Sequence, residues 1–232
     1  GLEKSPEDIV ITPDNKYLII SGFGGISPLH ESNDPRGGEG SLFLMDAYTK
    51  ANNSLNIRYE DNVWGDGVCD RDSESSFNPH GIDLVKRDDG KYQLVVVNHL
   101  PFETIEMFEL LKTDIESSNE EIVPIWELVW RGCVSVPEEY YLNDVSLAPD
   151  GSLFTTHMHS KTISILEFLF KSITKGKTGF AMRWDKEFGF SEISNSQGGQ
   201  PNGIVYDNST DILHISLNLS DKIISCLLYT SP

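Results

Sequence analysis

Basic residues are scarce in this chain. Eighteen Lys and Arg stand against 36 Asp and Glu, for a formal net charge of −18. A surface of that sign repels nucleic-acid phosphates and anionic lipid, so no nucleic-acid partner is expected. Cysteine is nearly absent too. Cys69, Cys133 and Cys226 have no metal-ligand spacing, and three cannot all pair internally. No apolar run approaches the roughly 18–20 residues of a membrane span, so no transmembrane segment is expected. No Pro-rich or Ser/Gly-rich tract marks a linker. Common catalytic and nucleotide motifs fail as well. There is no Gly-x-Ser-x-Gly elbow. Gly176-Lys177-Thr178 has Lys171 where a phosphate loop needs its first Gly, and Gly22-Phe23-Gly24-Gly25 reads as a loop between strands. The chain opens at Gly1 without a signal-like stretch, so its compartment is not legible. Sequons at Asn52, Asn208 and Asn218 permit a secreted setting.

Strand signals fill the rest. Residues 8–12, the turn Pro13-Asp14-Asn15 and residues 17–21 form an apolar hairpin pattern. The form recurs at 81–85, Asp88-Asp89-Gly90 and 92–98, then at 144–148, Pro149-Asp150-Gly151 and 152–156. A fourth copy covers 203–206, Asp207-Asn208-Ser209 and 212–217. The copies lie about 60 to 70 residues apart, wider than the roughly 40–50 residues of compact propeller blades. Long loops or extra strands account for the excess, with 33–40 and 61–76 as candidates. The fold class is all-β. The one helical pattern, 163–174, carries Ile163, Ile165, Leu166, Leu169, Phe170 and Ile173, and reads as core packing rather than a membrane surface.

A polar residue opens each copy: Glu7 with Asp8, His80, Asn143 with Asp144, and Asn202. In a radial array of antiparallel sheets, equivalent positions converge on the central axis. Glu7, Asn143 and Asn202 would bring one carboxylate and two amide oxygens together, hard ligands that suit Ca²⁺ and not zinc. Any one of them alone is an ordinary turn residue; the repetition gives them weight. His80 opens one strand of the second hairpin and His99 follows the other. Strands lie about 4.8 Å apart, so the two imidazoles come within reach as a proton-handling pair.

Ser76-Phe77-Asn78-Pro79-His80-Gly81-Ile82, with Leu94-Val95-Val96-Val97-Asn98-His99, closely resembles the paraoxonase/arylesterase signature. Pro6-Glu7-Asp8-Ile9, Leu42-Phe43-Leu44-Met45-Asp46, Leu142-Asn143-Asp144-Val145 and Asn202-Gly203-Ile204 follow in the family's order. The resemblance spans roughly residues 5–223. It implies a six-bladed β-propeller, here partial with about four blades, with two Ca²⁺ ions in the full-length protein. Carried over by motif, Glu7, Asn143 and Asn202 look like ligands of a catalytic calcium. Asp8, Asp144 and the carbonyl of Ile82 look like ligands of a deeper, structural one. His80 and His99 match the family's histidine dyad, and His159 falls at another active-site histidine, after Met158 where the family carries Asp. The implied activity is hydrolysis of lactones and aryl esters, with Ca²⁺ polarising the carbonyl and the dyad activating water.

The family's further ligands, an adjacent Asp-Asn pair, belong to a fifth blade that this sequence is not expected to reach. Residues 1–225 read as an incomplete propeller domain and 226–232 as a non-native-looking tail. The chain as given is therefore expected to bind calcium weakly and turn over little. Two other readings stand beside this one. A gluconolactonase-like or senescence-marker-like propeller hydrolase shares the Glu, Asn and Asn-Gly elements without needing both histidines. A non-catalytic, calcium-stabilised propeller used for binding needs neither. Substrate preference and oligomeric state are not legible.

Overall fold

A computed structural model describes residues 5–25, 38–116 and 122–228. The first sheet is the meander β1 (Ser5–Ile11), β2 (Tyr17–Phe23), β3 (Ser41–Asp46) and β4 (Asn52–Ser54). The second contains β5 (Ile57–Tyr59), β6 (Pro79–Lys86), β7 (Tyr92–Asn98), β8 (Thr104–Glu116) and β9 (Ile122–Ser135). There β6 to β9 form the meander and β5 adds parallel to β9 at the outer edge. The third runs β10 (Tyr140–Leu147), β11 (Leu153–Ser160), β12 (Phe180–Asp185) and β13 (Gly189–Glu192), with helix α1 (Ile165–Thr174) between β11 and β12. The fourth is β14 (Pro201–Asp207), β15 (Ile212–Leu217) and β16 (Lys222–Leu227). The inner strands β1, β6, β10 and β14 pack side by side in that order, as blades of a propeller do.

The sheets stack through three apolar layers. Period-two alternation decides which layer each residue enters. Leu94 and Val96 of β7 face the first sheet with Ile19, Leu42 and Phe108. Val95 and Val97 face the third with Leu142, Val145 and Leu153. All four β7 residues have 0% exposure, which is why they read as an unbroken apolar run rather than an alternating one. Burying side chains of this kind stabilises the fold by about 1.5–3 kcal/mol each. Phe154, Ile204, Leu213, Ile215 and Cys226 build the layer between the third and fourth sheets.

The wide repeat spacing has visible causes. The parallel strand β5, the irregular 60–78 segment and the long β8–β9 pair enlarge the second unit, and α1 enlarges the third. A Cys69–Cys133 disulfide fastens the 60–78 segment to β9, and Cys226 is free and buried. The candidate stretch 33–40 lies mostly outside the described residues.

One expectation is corrected. The apolar residues of α1 are not core: Ile165, Leu166 and Ile173 are 79%, 80% and 83% exposed, and no residue of the helix is buried. Ser164 caps the helix through Glu167 N–H, and half-buried Phe168 meets the His159 ring edge-on at 5.8 Å. The sheet also runs past residue 225. Cys226 and Leu227 pair with Leu213 and Ile212, because Cys226 falls on the inward phase of the strand. Residues 229–232 of the expected tail lie outside the described residues.

Candidate active site

Four register breaks fall where the sequence repeat places its polar residues. The β1–β2 pairing shifts between Pro6 and Asp8, and β6–β7 between Pro79 and Ile82. The β10–β11 pairing shifts between Leu142 and Val145, and β14–β15 between Pro201 and Ile204. The skipped residues include Glu7, His80, Asn143, Asp144 and Asn202. A bulge leaves a residue out of the ladder and re-aims its side chain, so the same irregularity recurs at the start of every inner strand.

Carboxylates tie adjacent inner strands together beside these bulges. Asp8 Oδ2 accepts the Ile82 N–H at 2.8 Å, and its Oδ1 accepts the Ile9 N–H at 2.7 Å. Asp144 repeats the arrangement with Ile204 and Val145, both at 2.8 Å. Asp83 does the same with Leu147 and Leu84, again at 2.8 Å. Gly81 makes this approach possible. A Cβ there would lie 2.4 Å from Asp144 Oδ1 and 2.7 Å from the Asn143 carbonyl oxygen. Burial pushes the Asp8 and Asp83 carboxyls up. It pushes Asp144 up to about 7, helped by the charges of Asp8 and Asp83. Asn143 and Asn202 have no side-chain hydrogen bond among the described residues.

A line of titratable groups runs away from the bulges. Glu7 Oε1 is 3.0 Å from His80 Nε2, and His80 Nδ1 is 3.0 Å from His99 Nε2. His99 Nδ1 is 2.9 Å from Glu103 Oε1, which also accepts the Leu142 N–H at 2.8 Å. Glu103 Oε2 faces the Lys161 ammonium at 3.0 Å as an ion pair. The hydrogen bond to His80 holds the Glu7 carboxyl below its usual range. His99 and Lys161 do the same for Glu103 against its burial. Burial pushes His80 down. Phe23 stacks on His80 at 4.7 Å, Tyr141 on His99 at 4.5 Å, and His159 on Tyr141 at 5.2 Å. Buried Arg71 anchors both histidine-bearing segments. It pairs with Glu106 at 3.2 Å and donates to the carbonyls of Ser75, Ser76 and Leu100.

The sequence-derived residues thus divide. Glu7, His80 and His99 come into one contact line. Asp8 is joined to Ile82, and Asp144 reaches the strand of Asn202. His159 stands two stacking steps from His80's partner. No group of three or more His, Cys, Asp or Glu side chains set to hold a metal occurs among the described residues. Both expected ligand sets lean on amide or backbone oxygens, which such a group does not contain. Glu103, Tyr141 and Lys161 were not singled out by the sequence. Glu103 is an isolated acid ahead of an apolar strand, and its partners come from distant parts of the chain. A cavity of about 1000 Å³ opens at Glu103, Phe102, Glu139 and Lys161, without contribution from His80 or His99.

Four meander sheets about adjacent inner strands, with polar bulges at one end of each, define a β-propeller. The family model described as Arylesterase matches residues 1–226, and the chain belongs to that family. Serum paraoxonase/arylesterase 2 of Rattus norvegicus is 30% identical over 132 residues, 53% of this chain and 33% of that protein. Hydrazine synthase of Kuenenia stuttgartiensis aligns with a TM-score of 0.53 at 16% identity, over 96% of this chain and 53% of that one, a likeness of fold alone. A gluconolactonase of Xanthomonas campestris aligns at 13% identity over 90% of this chain and 53% of that one. Its TM-score is 0.46. The chain spans about half the length of these solved structures.

Proposed function

We propose that the chain carries the site of a calcium-dependent hydrolase that opens lactones and cleaves aryl esters. The contact line Glu7–His80–His99, set at the convergent bulges, is the observation that supports this most directly. Family membership supports the hydrolase class.

The residues present fit a hard cation. Asp8 and Asp144 are carboxylates whose charge burial opposes; backbone N–H groups support both, His80 also supports Asp8, and the amide oxygens of Asn143 and Asn202 have no hydrogen bond among the described residues. Glu7, Asn143 and Asn202 would hold one Ca²⁺, and Asp8, Asp144 and the Ile82 carbonyl a second. Bound calcium would polarise the substrate carbonyl and favour negative charge on its oxygen. His80 takes the proton of the attacking water at Nε2. His99, in contact with His80 Nδ1, shares the positive charge that results. Phe23 and Tyr141 cover the two rings and exclude bulk water from them.

The test is turnover of a δ-lactone and of phenyl acetate by the purified full-length protein, with calcium and with a calcium chelator. Hydrolysis that needs calcium and falls in His80→Gln supports the reading. Undiminished hydrolysis in that variant sinks it.

A further inference from the structure

The Glu7–His80–His99–Glu103 line contains three heavy-atom contacts of 2.9–3.0 Å between two carboxylates and two imidazoles. Each contact needs one proton, and a carboxylate can only accept. Two neutral imidazoles carry two ring protons between them. Three contacts therefore require one imidazolium, and neutral rings leave one ring nitrogen bare. Which nitrogen is bare decides whether the pair can act as a base on the Glu7 side.

Two arrangements of two protons keep the imidazole–imidazole hydrogen bond. In the first, His99 donates from Nδ1 to Glu103 and His80 donates from Nδ1 to His99. The bare lone pair is then on His80 Nε2. In the second, both rings donate from Nε2 and the bare lone pair is on His99 Nδ1. That lone pair would face the Glu103 carboxylate oxygen at 2.9 Å with no proton between them, where the Glu103 side chain is only 2% exposed and such a conflict is costly. The first arrangement places the same conflict between His80 Nε2 and Glu7 Oε1, 3.0 Å apart, but the Glu7 side chain is 40% exposed and can turn to water, so the cost there is smaller. Glu103 is fixed in place by the Leu142 N–H and by Lys161, which come from outside its own sheet. It cannot turn away to relieve the conflict.

We infer that Glu103 is a positioning residue that sets the proton polarity of the histidine pair, forcing His99 into its Nδ1–H tautomer so that the base lone pair appears at His80 Nε2. The group it serves is the base of the hydrolase reading, so its kinetic consequence rests on that reading. Its tautomeric consequence does not.

The experiment is ¹⁵N imidazole NMR on histidine-labelled full chain, alongside lactone kinetics. Wild-type His99 is expected to carry its proton at Nδ1. In Glu103→Gln the amide can donate to Nδ1, and His99 is expected to shift toward the Nε2–H tautomer. The kcat should fall by about 10²–10⁴-fold with KM changed less than about threefold, as for a base held in the wrong tautomer. A wild-type His99 protonated only at Nε2 overturns the inference, even if Glu103→Gln does not fold. An unchanged tautomer in the folded variant overturns it too. A wild-type protein without turnover but with the expected tautomer switch counts against the hydrolase reading and supports this one.

Discussion

The two ends of strand β6 obey different rules. From Ile82 to Lys86 every residue pairs in register with β7, and the alternation sends Ile82 and Leu84 into the apolar layer shared with the first sheet. Between Pro79 and Ile82 the register breaks, and His80 leaves the ladder to meet Glu7 and His99. The same division recurs in β1, β10 and β14. A regular strand can only alternate between its two faces, and both faces of a blade are taken up by packing. A bulge supplies the third direction. The regular ends therefore hold the sheets together, and the bulged ends present polar groups to a common centre.

The sharpest way to break this division is to exchange the two effects. His80→Gln should lower turnover by about 10²–10⁴-fold, the range of a general base, and leave the melting temperature nearly unchanged. Leu94→Ala removes a fully buried side chain from the regular part of β7 and should cost about 2–5 kcal/mol of stability. Turnover per folded molecule should stay as in wild type. Calorimetry and kinetics on both variants decide it. If both lose stability equally, the bulged end is structural and the division fails.

A smaller effect tests the carboxylates that lie between the two ends. Asp8 and Asp144 each bridge neighbouring inner strands, and a cation held there should stabilise the fold by linkage, about 2.7 kcal/mol at a hundredfold excess over Kd. In the full-length protein a calcium chelator should lower the melting temperature of wild type clearly and that of Asp144→Asn much less. Equal shifts in the two proteins would remove the ion from this position.

The repeat was legible because its signals are local. Turn residues such as Pro149-Asp150-Gly151 sit between β-branched runs, and the opening polar residues keep one register. The contact of His80 with His99 was legible for the same reason, since a hairpin fixes where the two residues stand. Glu103 was not, because its meaning lies in Lys161 and Leu142, contacts that no local pattern encodes. Helix α1 misled in the opposite way. Apolar residues at helical spacing usually mark a buried face, yet here the face is open. The Cys69–Cys133 bridge joins an irregular loop to a strand 64 residues away, and three cysteines alone do not say which pair forms.

The smallest predicted effect concerns His157, on β11 in the same neighbourhood but outside the proton line. Its Nδ1 accepts the Tyr141 N–H at 3.3 Å, so the folded protein uses its neutral form. Burial holds its pKa down at about 4, with His159 adding repulsion and Glu103 and Glu139 opposing it. A histidine whose folded pKa lies below its unfolded value near 6.5 contributes stability that is complete above about pH 6.5. That contribution drains away as the pH falls toward 4, because the unfolded chain binds the proton first. The loss should reach about 1–2 kcal/mol by pH 5. His157→Asn keeps an acceptor for Tyr141 and removes the titration, so its unfolding free energy should fall less than that of wild type between pH 7 and pH 5. Parallel curves for the two proteins would mean that His157 stays solvated, and that the packed part of the third sheet begins beyond it.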